Sequence, residues 1–236
     1  MKLLERGMNM KLYELNWALY PRRIGIYLVE KGINDVERVV LDSMDKGLAL
    51  KLKALSSLGT VPILETESGC RIRSSIAILE YLEERFPEPN MIGCTAEQRA
   101  LTRELVGVAD EAAQQLGIWC HKGSPVFAGM EEQSADAARF AAQSYRRQLD
   151  RLDQLLAETG GPFLSGNRVS LADCIAMATL EFAEDAYGVP LPQELERLGN
   201  WYAQFKERPS ALCPSYPPVF LEQAYGLPQH SRCWPV

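Results

Sequence analysis

The sequence predicts an α/β domain of order β-α-β-α-β-β-α followed by an all-α domain. Three observations carry that expectation. Short strand and helix signals alternate through the first third of the 236 residues. A hairpin signal closes the alternation, which implies a mixed sheet with helices on its faces. Everything after a Pro-containing stretch at Glu88–Gly93 repeats with helical period. The expected domains are residues 10–88 and 94–225.

In the first domain, Lys11-Leu-Tyr-Glu-Leu15 alternates polar and apolar residues as a half-buried strand does. Pro21 suits the first turn of a helix, where its missing N–H costs nothing, and Gly32 suits the stop. Asp35 to Leu41 is valine-rich and reads as a second strand, and Lys46 to Leu55 as a short helix. Val61–Glu65 and Cys70–Arg73 flank Thr66-Glu-Ser-Gly69, a hairpin pattern. Ser74 or Ser75 then caps a helix whose apolar side is Ile78, Tyr81 and Leu82, ending at Phe86-Pro87.

The second domain opens with a long helix over Thr95–Cys120, with Leu101, Leu105 and Val108 in register. Residues 131–157 form another, where Ala141, Tyr145, Leu149, Leu152 and Leu156 recur at helical spacing. Ser170-Leu-Ala-Asp173 is a capping box, and the apolar run behind it predicts a central, buried helix. A further helix is expected from Gln193 to about Glu207, stopped by Arg208-Pro209.

A net charge of −6 disfavours nucleic acid as a partner. No apolar run approaches the ~20 residues that span a bilayer, so no membrane partner is expected. Residues 1–9 read as an upstream start or leader rather than a secretory signal, and the chain is expected to be cytoplasmic. The six cysteines, at 70, 94, 120, 174, 213 and 233, include no C-x-x-C pair and read as reduced thiols. With only His121 and His230, and no ligand spacing around Cys120-His121, no metal is expected.

Two segments carry the chemistry. In Leu58-Gly-Thr-Val-Pro-Ile-Leu64 a proline enters a strand, where it cannot donate to the ladder. A cis Val61–Pro62 bond would present the Val61 N–H and C=O to an extended peptide ligand. An ordinary trans proline at a sheet edge is the alternative, favoured by frequency alone because only ~5% of X–Pro bonds are cis. In Arg73-Ser-Ser-Ile76 two serines start a helix directly after a strand. Open backbone N–H groups and the helix dipole favour an anion such as a carboxylate there, with plain N-capping as the alternative.

Leu58–Leu64 followed by Ser75-Ile-Ala-Ile-Leu-Glu-Tyr-Leu82 resembles the cytosolic glutathione S-transferases, of bacterial type. So do Leu12-Tyr13, Pro21-Arg-Arg-Ile24 and Val29-Glu-Lys-Gly-Ile33, and later Phe163–Asp173 and the stretch from Asn200-Trp201-Tyr202 to Arg208-Pro209-Ser210. The resemblance covers residues 11–210 in matching order. It implies a thioredoxin-like domain followed by a helical bundle, usually in a homodimer. Glutathione would be the co-substrate, held by Thr60, Val61, Pro62, Ser74 and Ser75. Val61 would pair with its cysteinyl backbone beside a cis Pro62, and Ser75 would take its γ-glutamyl carboxylate. Ser74 departs from the usual acidic residue or glutamine, and Gly166-Asn167 departs from the usual Gly-Asp.

The implied activity joins the glutathione thiolate to small electrophiles. Lowering a thiol pKa by two units takes about 2.7 kcal/mol. In the pattern Ser-Pro-x-x-Arg a serine hydroxyl does this. Aligned on Arg22, Ala18 stands at the serine and Leu19 at the proline. Tyr20 and Asn16 are the candidate replacements, with the Trp17 indole N–H a third donor. Arg22 either adds positive potential or makes a structural ion pair. Trp17, Leu19, Trp119 and Cys120 are the candidates to line a hydrophobic substrate pocket expected between the domains. For Trp119 core packing is the competing assignment. A non-catalytic glutathione-binding or carrier protein, and a peroxide-reducing, ether-cleaving or dehalogenating relative, are the alternative functions.

Overall fold

The computed structural model describes residues 10–224 and 227, so the expected leader, His230 and Cys233 lie outside the described residues. The chain divides after Pro89 into two compact units.

The first unit holds a four-stranded mixed sheet in the order β2-β1-β3-β4. Its elements are β1 (Met10–Glu14), α1 (Leu19–Lys31), β2 (Val36–Val40), α2 (Leu48–Leu55), β3 (Ile63–Glu65), β4 (Arg71–Ile72) and α3 (Ser75–Arg85). The expected order is therefore found. β1 runs parallel to β2 and antiparallel to β3, and β3 is antiparallel to β4. The β3–β4 turn closes through Thr66 N–H to Cys70 O and Gly69 N–H to Thr66 O. α1 ends where Gly32 takes a left-handed φ of 68°, which lets its own N–H and that of Ile33 bond back to Val29 O and Leu28 O.

Strand alternation places Glu14 on the buried face with Met10 and Leu12. Arg38 of β2 compensates, donating from Nε to Glu14 Oε1 at 2.5 Å and from Nη2 to Oε2 at 2.9 Å. A second buried charge ties α1 to α3. Lys31 Nζ lies 2.9 Å from Glu83 Oε2, which also accepts from the Tyr27 hydroxyl at 2.8 Å. The same ammonium donates to Phe86 O and Pro89 O, each at 2.6 Å, so its three protons are used. A buried pair survives only when its remaining hydrogen bonds are met in this way.

The second unit is helical: α4 (Ala96–Gly123), α5 (Ala135–Thr159), α6 (Leu171–Glu181), α7 (Glu196–Lys206) and α8 (Pro218–Ala224). α6 is buried along its whole length and continues into a π-helical turn at Phe182–Ala186. The α5 stripe is the expected one, with Ala141, Tyr145, Leu149, Leu152 and Leu156 all buried.

Several boundaries and faces differ from expectation. On α4, Leu101 is exposed and Val108 only half-buried, and the inward stripe runs through Leu105, Ala109, Ala112, Ala113 and Leu116. Small residues there let α5 approach closely. α5 starts at Ala135 rather than 131, because Ser134 caps it through Ala137 N–H while Glu131 turns back to His121 and Lys122. α7 starts at Glu196 rather than Gln193, its Leu198 N–H donating to Asp153 of α5 at 2.8 Å. The segment expected as a linker partly belongs to the second unit, with Met91 and Ile92 buried and Met91 O accepting from Leu171 N–H. α8 has no counterpart among the expected elements.

Asp173 is the polar centre of this unit. Its Oδ1 accepts from Leu164 N–H at 2.9 Å and from the Trp201 indole at 2.8 Å. Its Oδ2 accepts from Ser170 N–H at 2.9 Å and from the Ser170 hydroxyl at 2.6 Å. Burial pushes the carboxyl pKa up, and these donors pull it back. The loop before it is tight: a Cβ on Gly161 would stand 2.3 Å from the Gly166 carbonyl.

Candidate functional site

The sheet registers bring three chain segments out at one end of the first unit. β1 pairs Tyr13 with Ile63, and β4 pairs Ile72 with Leu64. Continued outward, those registers set Val61 across from Leu15 on one side and Ser75 on the other. The β1–α1 turn, the entry to β3 and the start of α3 therefore share an end, where the carboxyl ends of β1, β2 and β4 lie. Ligands of open α/β sheets bind outside such ends.

The Val61–Pro62 peptide bond is cis. Among the described residues the Val61 N–H and C=O take no backbone partner. Val61 is half-exposed, Thr60 exposed and Pro62 buried. One residue thus offers a donor and an acceptor, the pair an extended peptide needs in order to add alongside.

α3 starts on Ser74, extended at φ −92° and ψ 130°, with no side-chain cap bond. Its first turn contains no acidic residue, so no carboxylate of the turn itself meets the open N–H groups and the dipole. Ser74 is exposed. Ser75 is buried, and its Oγ accepts from Arg23 Nη1 at 3.3 Å. Arg23 was not singled out in the sequence. It is fully buried, and its guanidinium lies 4.8 Å from the Tyr20 ring centre, linking the start of α1 to the start of α3. The signal available for it was the Tyr20/Arg23 spacing of three on one helix, which makes the two side chains neighbours.

At the start of α1, Ala18 is the N-cap and contributes no side-chain bond. Asn16, Trp17 and Tyr20 are each half-exposed around that turn, while Leu19 is buried. Arg22 is also buried, which suits the structural assignment.

Trp119 changes role. It is fully buried in the second unit, its ring centre 6.2 Å from that of Tyr145, so core packing replaces the pocket-wall expectation. Cys120 beside it is buried too, and burial pushes its thiol pKa far up, which leaves it inert as a nucleophile. The five cysteines among the described residues are free thiols.

Comparison with known proteins gives one family for both units. The family description "Glutathione S-transferase, N-terminal domain" matches residues 17–85, and "Glutathione S-transferase, C-terminal domain" matches residues 108–204. Glutathione S-transferase 2 of Saccharomyces cerevisiae is 28% identical over 208 residues, covering 86% of this chain and 88% of that protein. A solved glutathione S-transferase domain-containing protein of Marinobacter aquaeolei VT8 is 31% identical, with a TM-score of 0.75 over 85% of this chain and 98% of its own. A glutathione S-transferase of Methylobacillus flagellatus, solved with GSH bound, is 25% identical, with a TM-score of 0.73 over 85% of this chain and 96% of its own.

Proposed function

This chain belongs to the glutathione S-transferase family, and we propose that it joins the thiolate of glutathione to small electrophiles from a site at the shared end of its sheet. The observation that carries this reading is the open Val61 N–H and C=O, set by the strand registers across from the start of α3. In the proposed complex Val61 pairs with the cysteinyl backbone of glutathione, between Thr60 and Pro62. Ser74 and Ser75, with the first N–H groups of α3, hold the γ-glutamyl carboxylate, and the buried Arg23 charge behind Ser75 favours an anion there.

Thiol activation falls to Tyr20 or Asn16, since Ala18 has no donor. Tyr20 has the support of the Arg23 guanidinium on its ring, which favours negative charge nearby. Together with the open N-terminus of α1, one hydroxyl donor aimed at sulfur can supply the ~2.7 kcal/mol that two pKa units require. Trp17 and Leu19 border the same turn and form the proposed apolar side of the electrophile site. Homodimerisation and a cytoplasmic location complete the proposal.

Ala18 also favours a second reading, in which the chain binds glutathione without turning it over. Calorimetric titration with glutathione, followed by turnover with aryl halides, epoxides and hydroperoxides, separates the two. Saturable binding with turnover is the expected result. Binding with no turnover on any of the panel would leave the carrier reading, and no binding would refute both.

A further inference from the structure

A cleft of about 500 Å³ lies within the second unit, between the π-helical turn after α6, residues 190–193 and the first turn of α7. None of its lining residues belongs to the proposed glutathione site. Its volume falls within the ~300–1,000 Å³ of small-molecule pockets. Leu191, Pro192 and Leu195 give it apolar surface. Gly199 of α7 lines it without a side chain, and a Cβ there would meet only Leu191 Cδ2, at 3.9 Å.

The charged groups on its lining are of one sign. Glu184 and Glu196 line the cleft, and among the described residues no lysine, arginine or histidine does. Glu184 Oε2 accepts from the Tyr202 hydroxyl at 2.8 Å and from Lys206 Nζ at 3.0 Å. Its Oε1 has no partner among the described residues. Glu196 is exposed and makes no ion pair with a described residue. Lys206 therefore offsets one of the two carboxylates and leaves a negative charge to be matched. The Asn200 side chain lines the cleft as well and offers a carbonyl oxygen.

Lys206 also shows what this lining accepts. Its ammonium bonds Glu184 while lying 5.0 Å from the Tyr202 ring centre, a carboxylate and an aromatic ring serving one cation. A second carboxylate, a carbonyl oxygen and an apolar wall, with no cation on the lining to oppose them, define the guest by complementarity.

We propose that this cleft is a binding site for a small organic cation, an alkylammonium on an apolar body, built from residues that the glutathione site does not use. The ammonium pairs with Glu184 and Glu196 beside the Tyr202 ring, and the apolar body lies on Leu191, Pro192 and Leu195 over Gly199.

Phenethylammonium is a suitable probe, with 2-phenylethanol as its uncharged counterpart, titrated calorimetrically into the whole chain at pH 7. The wild-type chain should bind one phenethylammonium per chain, with 2-phenylethanol about tenfold weaker. Gly199→Met fills the cleft from a helix that gains propensity by the change, and it should abolish binding. Glu196→Lys reverses an exposed charge and should weaken phenethylammonium about tenfold. Saturating glutathione should leave phenethylammonium bound. The proposal is overturned if the wild-type chain does not bind phenethylammonium, if 2-phenylethanol binds as tightly, if either folded variant binds as the wild type does, or if glutathione displaces the probe. Near-ultraviolet circular dichroism confirms the fold of each variant, and the comparison of amine with alcohol needs no variant at all.

Discussion

Asp173 and the end of the sheet around Val61 and Ser75 handle polar groups in opposite ways. Asp173 is buried, and two backbone amides, a hydroxyl and an indole converge on its two oxygens. Among the described residues the Val61 donor and acceptor have no backbone partners, and the first turn of α3 contains no acidic residue. Saturated polar groups hold a scaffold together. Open ones at a sheet end are available to a ligand, and native proteins leave few such groups without a reason.

The largest expected effect breaks the saturated side. Asp173→Ala strands the Leu164, Ser170 and Trp201 N–H groups and should cost about 3–5 kcal/mol in urea denaturation. Glutathione affinity per folded molecule should be unchanged.

Ser75→Ala tests the open side. Losing a hydroxyl donor to a carboxylate should weaken glutathione about tenfold by calorimetry, while stability falls by less than about 1.5 kcal/mol. If the two variants exchanged these signatures, the contrast between scaffold and site would be wrong.

A smaller effect sharpens the open side. Tyr20→Phe should raise the pKa of bound glutathione by about one unit, or about 1.4 kcal/mol, read from thiolate absorbance. Asn16→Ala is the parallel variant, and if neither moves the pKa then neither residue activates the thiol.

The smallest effect lies on the surface, at Glu131. Hydrogen bonds from His121 and Lys122 hold its pKa below the ordinary value. A carboxyl depressed on folding stabilises above its unfolded pKa, and that contribution is lost as pH falls through the folded value. Glu131→Gln should therefore flatten the acid limb of a melting-temperature profile slightly and leave neutral pH nearly unchanged.

Much of this was legible from periodicity and punctuation. The strand–helix order of the first unit follows from alternation, Pro21, Gly32 and the Thr66–Gly69 turn. The α5 stripe and the Ser170–Asp173 capping box follow from local spacing. What escaped depends on partners distant in sequence. Asp153 sets the start of α7 from 45 residues away. The Trp201 indole reaches Asp173 across 28 residues. Arg23 meets Ser75 across 52 residues. The inward face of α4 was misjudged because alanines, weak in any hydrophobicity count, carry it where Leu101 and Val108 were expected to. Trp119 shows the same limit, since position alone does not separate a pocket wall from a core side chain.

The most direct test is hydrogen exchange at the Val61 amide, with and without saturating glutathione. The amide should exchange readily in the free chain and become protected in the complex, as the cysteinyl backbone takes its N–H. Unchanged exchange at Val61 under saturation would contradict the assignment of this sheet end as the glutathione site.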